Sequence, residues 1–200
     1  GKRPGDHVPE FQYMNDIFHH ISCPNPYRPP EGMEEGDLTE LLVKEFEDTI
    51  ERLGANNIGG FLAEPIQASG GVIIPPDSYL RRIREVCKSH NILFVADEVV
   101  TAFGRLGHWF ASEDEFGMIP DIICSAKGLS SGYLPIGAMI YSREIHEVIS
   151  QSESGYFTSG FTYAGHPVSC AAALKNIEIM EREDILKNAH DVGLYFENKL

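Results

Sequence analysis

The sequence predicts an α/β domain with a mostly parallel sheet and helices on both faces. Three observations predict it. Short apolar runs, Ile58–Ala63, Ile92–Ala96 and Ile122–Ser125, lack the polar alternation of a half-solvated strand and read as buried parallel strands. A helix-period pattern of ordinary length separates the first two runs, as a parallel crossover requires. The chain has 200 residues, 42% of them hydrophobic, which is enough for one real core.

The elements follow in order. Residues 1–36 are rich in Pro, Gly and His, as in Pro24-Asn25-Pro26-Tyr27-Arg28-Pro29-Pro30, and predict an irregular surface segment that opens as a loop over Gly1–Asp6. A helix is expected from Asp37, with Asp37 and Glu40 at capping-box spacing and Leu38, Leu42, Phe46, Ile50 and Leu53 on one face. Gly54 ends it. The first strand, Ile58–Ala63, closes on Glu64-Pro65, and a loop runs through Gly70-Gly71 to Pro75-Pro76. Asp77 is expected to cap a second helix that buries Leu80, Ile83, Val86 and Cys87 and turns Arg81, Arg82, Arg84 and Lys88 outward. The strand Ile92–Ala96 follows.

Residues 101–120 read as irregular, with a turn at Gly104-Arg105-Leu106-Gly107 and a short helix near Glu113. Ile122–Ser125 is the third strand and Gly137–Tyr141 the fourth. Helices are expected over Arg143–Ile149 and from Pro167 onward, Pro167 suiting a first helical turn. The loop-like opening, and a close at Leu200 inside a helical pattern, predict a piece of a longer chain.

Composition narrows the function. Sixteen Lys+Arg stand against 30 Asp+Glu, a formal net charge of −14, with no basic stripe. That argues against nucleic acid or an anionic membrane as partner. No apolar run approaches a membrane span, and no signal peptide opens the chain. Cys23, Cys87, Cys124 and Cys170 form no C-x-x-C pair, so no metal site and no disulfide framework is expected. The last three lie in apolar or small-residue stretches and read as buried thiols, which suits a cytoplasmic setting.

The chemistry lies at strand ends. Ile92–Ala96 runs into Asp97-Glu98, and Asp121–Ala126 runs into Lys127-Gly128. In open α/β sheets, ligands gather at the carboxyl ends of strands, where Glu64, Asp97 and Lys127 all fall. Burying either charge of the Asp97/Lys127 pair alone costs several kcal/mol, so each needs a partner. An aldehyde cofactor with a ring cation satisfies both at once: the amine condenses with the aldehyde and the acid pairs with a protonated pyridine nitrogen. That describes pyridoxal phosphate. Ser159–Pro167 adds a hydroxyl and free backbone N–H groups just before a helix, a plausible phosphate site. Each feature alone has an ordinary reading: a solvated lysine, a helix-capping acid, a helix-start loop. His166, before proline, reads as structural.

Together the stretches Ala63–Gln67, Phe94–Gly107, Pro120–Gly128 and Phe161–Pro167 resemble the class III (ω-amino acid) family of pyridoxal-phosphate-dependent aminotransferases, in the family's order and over nearly the whole chain. The resemblance implies the aspartate aminotransferase-like large domain of fold type I. Residues 37–200 would be part of that cofactor-binding domain, with the small domain absent. It implies that Lys127 forms a Schiff base with the cofactor, Asp97 holds the pyridinium, Val99 packs on the ring, and Phe161 and Thr162 meet the phosphate across a homodimer interface. Glu64 and Val100 would stand in a supporting shell.

An amine or ω-amino acid would be the donor and a keto acid the acceptor. Two departures from the family pattern matter. Val100 stands where many members carry Gln, and it cannot reach the ring hydroxyl as Gln does. Ser69 stands where some carry Glu, which argues against a 4-aminobutyrate- or ornithine-type enzyme using 2-oxoglutarate and toward pyruvate. A diaminopelargonate-forming aminotransferase, a semialdehyde aminomutase, an amino-alcohol phosphate lyase and a catalytically silent α/β fragment are the alternatives. The 200 residues alone are expected to form an incomplete, inactive site.

Overall fold

The computed structural model describes residues 12–14, 16–33 and 35–200. The opening loop expected at Gly1–Asp6 lies outside them. Helix α1 spans Glu35–Leu53 and ends, as expected, at Gly54, whose φ of +80° suits glycine. It begins before Asp37, which is therefore a first-turn residue and not the cap. Leu38, Leu42, Val43, Phe46 and Ile50 form its buried face, with Val43 added and Leu53 only half-buried. A 3-10 turn, Ala55–Asn57, takes the chain into β1, Gly60–Ala63.

The segment read as a loop after β1 contains one helical turn, α2, Ala68–Gly71. Helix α3, Tyr79–Ser89, buries Tyr79, Leu80, Ile83, Val86 and Cys87. Asp77 does not cap it. The chain enters through a backbone turn closed by the Pro76 carbonyl, which accepts from Tyr79 N–H at 2.9 Å, and no side chain caps the helix. Arg84 is not outward either. Its guanidinium reaches Asp121 Oδ1 at 2.7 Å, while Asp121 Oδ2 accepts from Phe94 N–H at 2.7 Å, so one carboxylate ties α3 to the sheet.

Strand β2, Leu93–Asp97, leads through a loop to the short helix α4, Ala111–Asp114, and to β3, Ile122–Ser125. Lys127–Ser130 is a 3-10 turn, and β4 spans Ala138–Tyr141. Helix α5 covers Arg143–Gln151, with Ser142 Oγ accepting from Ile145 N–H. The last helical pattern is two helices, α6 at Pro167–Arg182 and α7 at Ile185–Glu197, broken at Asp184 by a φ of +52°. None of the helices is long and apolar enough to cross a membrane among the described residues.

The sheet order is β1-β2-β3-β4. β1–β2 and β2–β3 are parallel, and β4 is an antiparallel edge on β3. The register pairs Ala63 with Ala96 and Asp97 with Cys124, so Glu64, Asp97 and Lys127 follow one another along a single carboxyl edge. Helices α1 and α3 cover one face, where Phe46, Phe61 and Phe94 meet in sequence at centroid distances of 4.8 and 5.5 Å. On the other face Leu62 and Leu93 are 63% and 37% exposed.

Two expectations follow from the core. Ile83 is fully buried under α1, so Ile83→Ala will cost about 2–5 kcal/mol, read as a lower urea midpoint. A loss within experimental error would mean that α3 does not pack as described. Of the cysteines, Cys87 is buried as expected, whereas Cys124 and Cys170 are only half-buried, because β3 faces the open side and α6 flanks the edge. Burial pushes the Cys87 thiol from 9.0 up to about 12. The unfolded thiol ionises near 9.0 while the folded one stays protonated, so its contribution to stability is full below that pH and is lost as pH rises toward 12. The denaturation midpoint will therefore fall over this interval less steeply in Cys87→Ala than in the parent. Identical slopes would remove Cys87 as a cause.

Candidate active site

Asp97 and Glu98 are adjacent acids that the pleat sends to opposite faces. Alternation along β2 buries Phe94, Ala96 and Glu98 on the helix-covered side and leaves Val95 and Asp97 half-buried on the other. Cys124 is the register partner of Asp97: burial raises its thiol pKa, and the charge of Asp97 raises it further. One Asp97 oxygen accepts from Val99 N–H at 3.0 Å, closing an Asx turn. Its second oxygen carries no hydrogen bond among the described residues.

Lys127 sits one strand over. Neighbouring strands stand about 4.8 Å apart. Its φ of +36° is a left-handed value that a side-chain-bearing residue adopts at a cost of about 1–3 kcal/mol, and such strain concentrates at functional sites. The side chain is exposed and has no ion pair or hydrogen bond among the described residues. Two residues earlier, the buried Ser125 hydroxyl has no hydrogen-bond partner among the described residues. A cleft of about 210 Å³ is lined by Lys127, Gly128, Val100, Ala102, Phe103 and Arg105, together with Gly104. The backbone fits closely here: a Cβ on Gly128 would stand 2.9 Å from Phe103 Cβ and 3.3 Å from the Ala102 carbonyl.

The unpaired amine lines a cleft, and a carboxylate with one free oxygen stands at the end of the adjacent strand; a ligand with an aldehyde and a ring cation would engage both. The other sequence-predicted residues fall as follows. Glu64 Oε2 accepts from Ala68 N–H at 3.1 Å and so braces the turn into α2. Val100 lines the cleft; Val99 is half-buried in the turn fixed by Asp97. Phe161, 87% exposed, and Thr162 lie in the turn before α6, closed by Ala164 N–H on the Phe161 carbonyl. Among the described residues no hydrogen bond joins them to Asp97 or Lys127.

Helix α6 instead reaches the site through Asn176, whose amide donates to the carbonyls of Gly128 (2.9 Å) and Leu129 (3.1 Å). Neither Asn176 nor Glu98 was singled out by sequence reasoning. For Glu98 the signal was present: two-residue alternation from Phe94 and Ala96 places it in the core.

The family profile of the class-III aminotransferases matches residues 6–200. The chain is 45% identical, over 168 residues, to a putrescine–pyruvate aminotransferase of Pseudomonas aeruginosa, covering 84% of this chain and 36% of that protein. It is 44% identical over 184 residues to the mitochondrial gamma aminobutyrate transaminase 1 of Solanum lycopersicum, covering 90% and 36%. Among solved structures, an (S)-enantioselective omega-transaminase from Thermomicrobium roseum superposes with a TM-score of 0.83 at 43% identity, over 89% of this chain and 39% of that one. An amine transaminase from an uncultivated Pseudomonas species, in its PLP-bound form, gives 0.82 at 44%, over 88% and 40%. The chain thus spans little more than a third of the length of these two curated relatives. It belongs to the class-III aminotransferases.

Proposed function

We propose that this chain is the cofactor-anchoring part of an aminotransferase that moves an amino group from an amine or ω-amino acid to a keto acid. The observation that carries the reading is the placement of Lys127 and Asp97 at the ends of adjacent strands, each with an unsatisfied polar atom. Pyridoxal phosphate is the cofactor of the class, and when bound it supplies an electron sink for carbon–hydrogen cleavage beside nitrogen.

Lys127 Nζ would hold the aldehyde carbon. Lys127, which lines the cleft, would also serve as the general acid–base that moves the substrate proton. The free Asp97 oxygen would hold the ring-nitrogen proton. Attraction at ~3 Å and an effective dielectric of ~20 is about 5 kcal/mol before desolvation. The turn at Val99 keeps that carboxylate in place and brings an apolar residue to the same edge.

The exposed Phe161–Thr162 turn supports a role in a second copy's site, where its hydroxyl and N–H groups would meet a phosphate; the protein would then act as a homodimer. Ser69, together with the likeness to a putrescine–pyruvate enzyme, supports pyruvate as acceptor. Putrescine and 4-aminobutyrate, named for the two relatives above, share a terminal primary amine on an unbranched carbon, and that is the proposed donor class. The four unpaired thiols support a reducing, cytoplasmic compartment.

The test is product analysis on the full-length protein. Terminal diamines and ω-amino acids are supplied with pyruvate or 2-oxoglutarate, and alanine is expected from pyruvate. Phosphate released from an amino-alcohol phosphate, with no keto acid consumed, would identify a lyase instead.

A further inference from the structure

Glu98 directly follows β2 and is completely buried, at 0% exposure. One carboxylate oxygen accepts from Thr101 Oγ1 at 3.0 Å and from Ala111 N–H at 2.7 Å. The other accepts from Ser112 N–H at 2.9 Å and from Ser112 Oγ at 2.6 Å. All four partners donate, which is what an acceptor-only carboxylate requires. Burying a carboxylate is a poor route to stability alone, since a well-packed apolar residue does as well or better.

These bonds join the two ends of one loop. Thr101 stands near its start, and Ala111 and Ser112 open α4 at its end. Between them lie Ala102, Phe103, Gly104 and Arg105, the wall of the Lys127 cleft. The same wall presses on Gly128, where Phe103 and Ala102 leave no room for a side chain. Within the loop, Gly107 also approaches α7 closely: a Cβ there would stand 2.7 Å from His190 Cβ.

We propose that Glu98 is a positioning residue for Lys127. Its carboxylate closes the base of the 98–112 loop, the loop bears on Gly128, and Gly128 fixes the left-handed turn that aims the lysine amine. Glu98 faces away from Asp97 and acts only through the loop. The proposal rests on the reading of Lys127 as the residue that holds the cofactor.

The test uses the full-length protein, Glu98→Gln, and the double variant Thr101→Val/Ser112→Ala, which keeps the carboxylate and removes its two hydroxyl donors. Two readouts stand beside turnover: trypsin cleavage after the exposed Arg105 in apoprotein, and visible circular dichroism of the bound cofactor. In Glu98→Gln, cleavage is expected to rise about tenfold as the loop opens locally. The visible dichroism will fall by roughly half, and kcat will fall about tenfold to a hundredfold while the amine KM changes less than about threefold. The double variant shifts each readout in the same direction by less, and carries the test alone if Glu98→Gln does not fold.

Faster cleavage with unchanged dichroism and kcat would reduce Glu98 to a structural staple and overturn the proposal. Unchanged cleavage would overturn it too. A parent protein lacking a borohydride-reducible cofactor linkage sinks the Lys127 reading and this proposal with it; a linkage present, with the variants unaffected, sinks this proposal alone.

Discussion

Lys127→Ala in the full-length protein will abolish the borohydride-reducible cofactor linkage and lower transamination by at least about 10⁴-fold, the upper range for loss of a general acid–base. The effect is large because the residue has two duties. In the proposed reading it would hold the cofactor before the donor arrives and carry the proton afterwards. The fold should survive, since the side chain is exposed and makes no bond among the described residues. Ala keeps the Cβ, so the left-handed backbone at 127 is unchanged in kind, and the turn stays closed by Ser131 N–H on the Gly128 carbonyl at 3.2 Å. A tightly bound cofactor in the variant, with no covalent link and no turnover, is the expected result. An added small amine should restore part of the proton transfer. Turnover within tenfold of the parent would place the reactive amine elsewhere.

Asp97→Asn should leave a folded protein with turnover lowered about 10²–10³-fold. The Coulomb attraction proposed for the ring nitrogen, about 5 kcal/mol, corresponds to somewhat under 10⁴ in rate, and the half-buried position discounts it. Asn keeps the volume and the oxygen that accepts from Val99 N–H, so the turn persists and the loss is electronic. The variant's cofactor should still link to Lys127, which separates this defect from that of Lys127→Ala. Near-normal turnover in Asp97→Asn would remove the carboxylate from the mechanism.

Much of this was legible before the fold was seen, for physical reasons that attach to particular residues. Phe94–Ala96 and Ile122–Cys124 are apolar without interruption, so their pairing was visible, and an ionisable residue at the end of each drew attention to itself. The helix over Leu80–Cys87 was visible because its apolar positions repeat at helical spacing. What sequence missed falls into two kinds. Asp77 and Asp37 had the chemistry of caps, but α3 starts from a backbone turn closed at Pro76 and α1 begins before Asp37.

Arg84, Asp121 and Asn176 look like surface residues in one dimension and become partners only when residues 27 to 48 positions apart are brought together. The Phe161–Thr162 turn belongs to neither kind, since sequence did point to it. Its composition suggested a phosphate site, and the fold leaves Phe161 exposed.

The central claim is that one amine, Lys127, anchors the cofactor. It is tested most directly by reducing the full-length holoprotein with borohydride, digesting it, and mapping the pyridoxyl-modified peptide by mass spectrometry. A single modified peptide containing Ile122–Leu129 is expected, with the mass increment on Lys127. A modification on any other lysine, or none at all in cofactor-loaded protein, would contradict it.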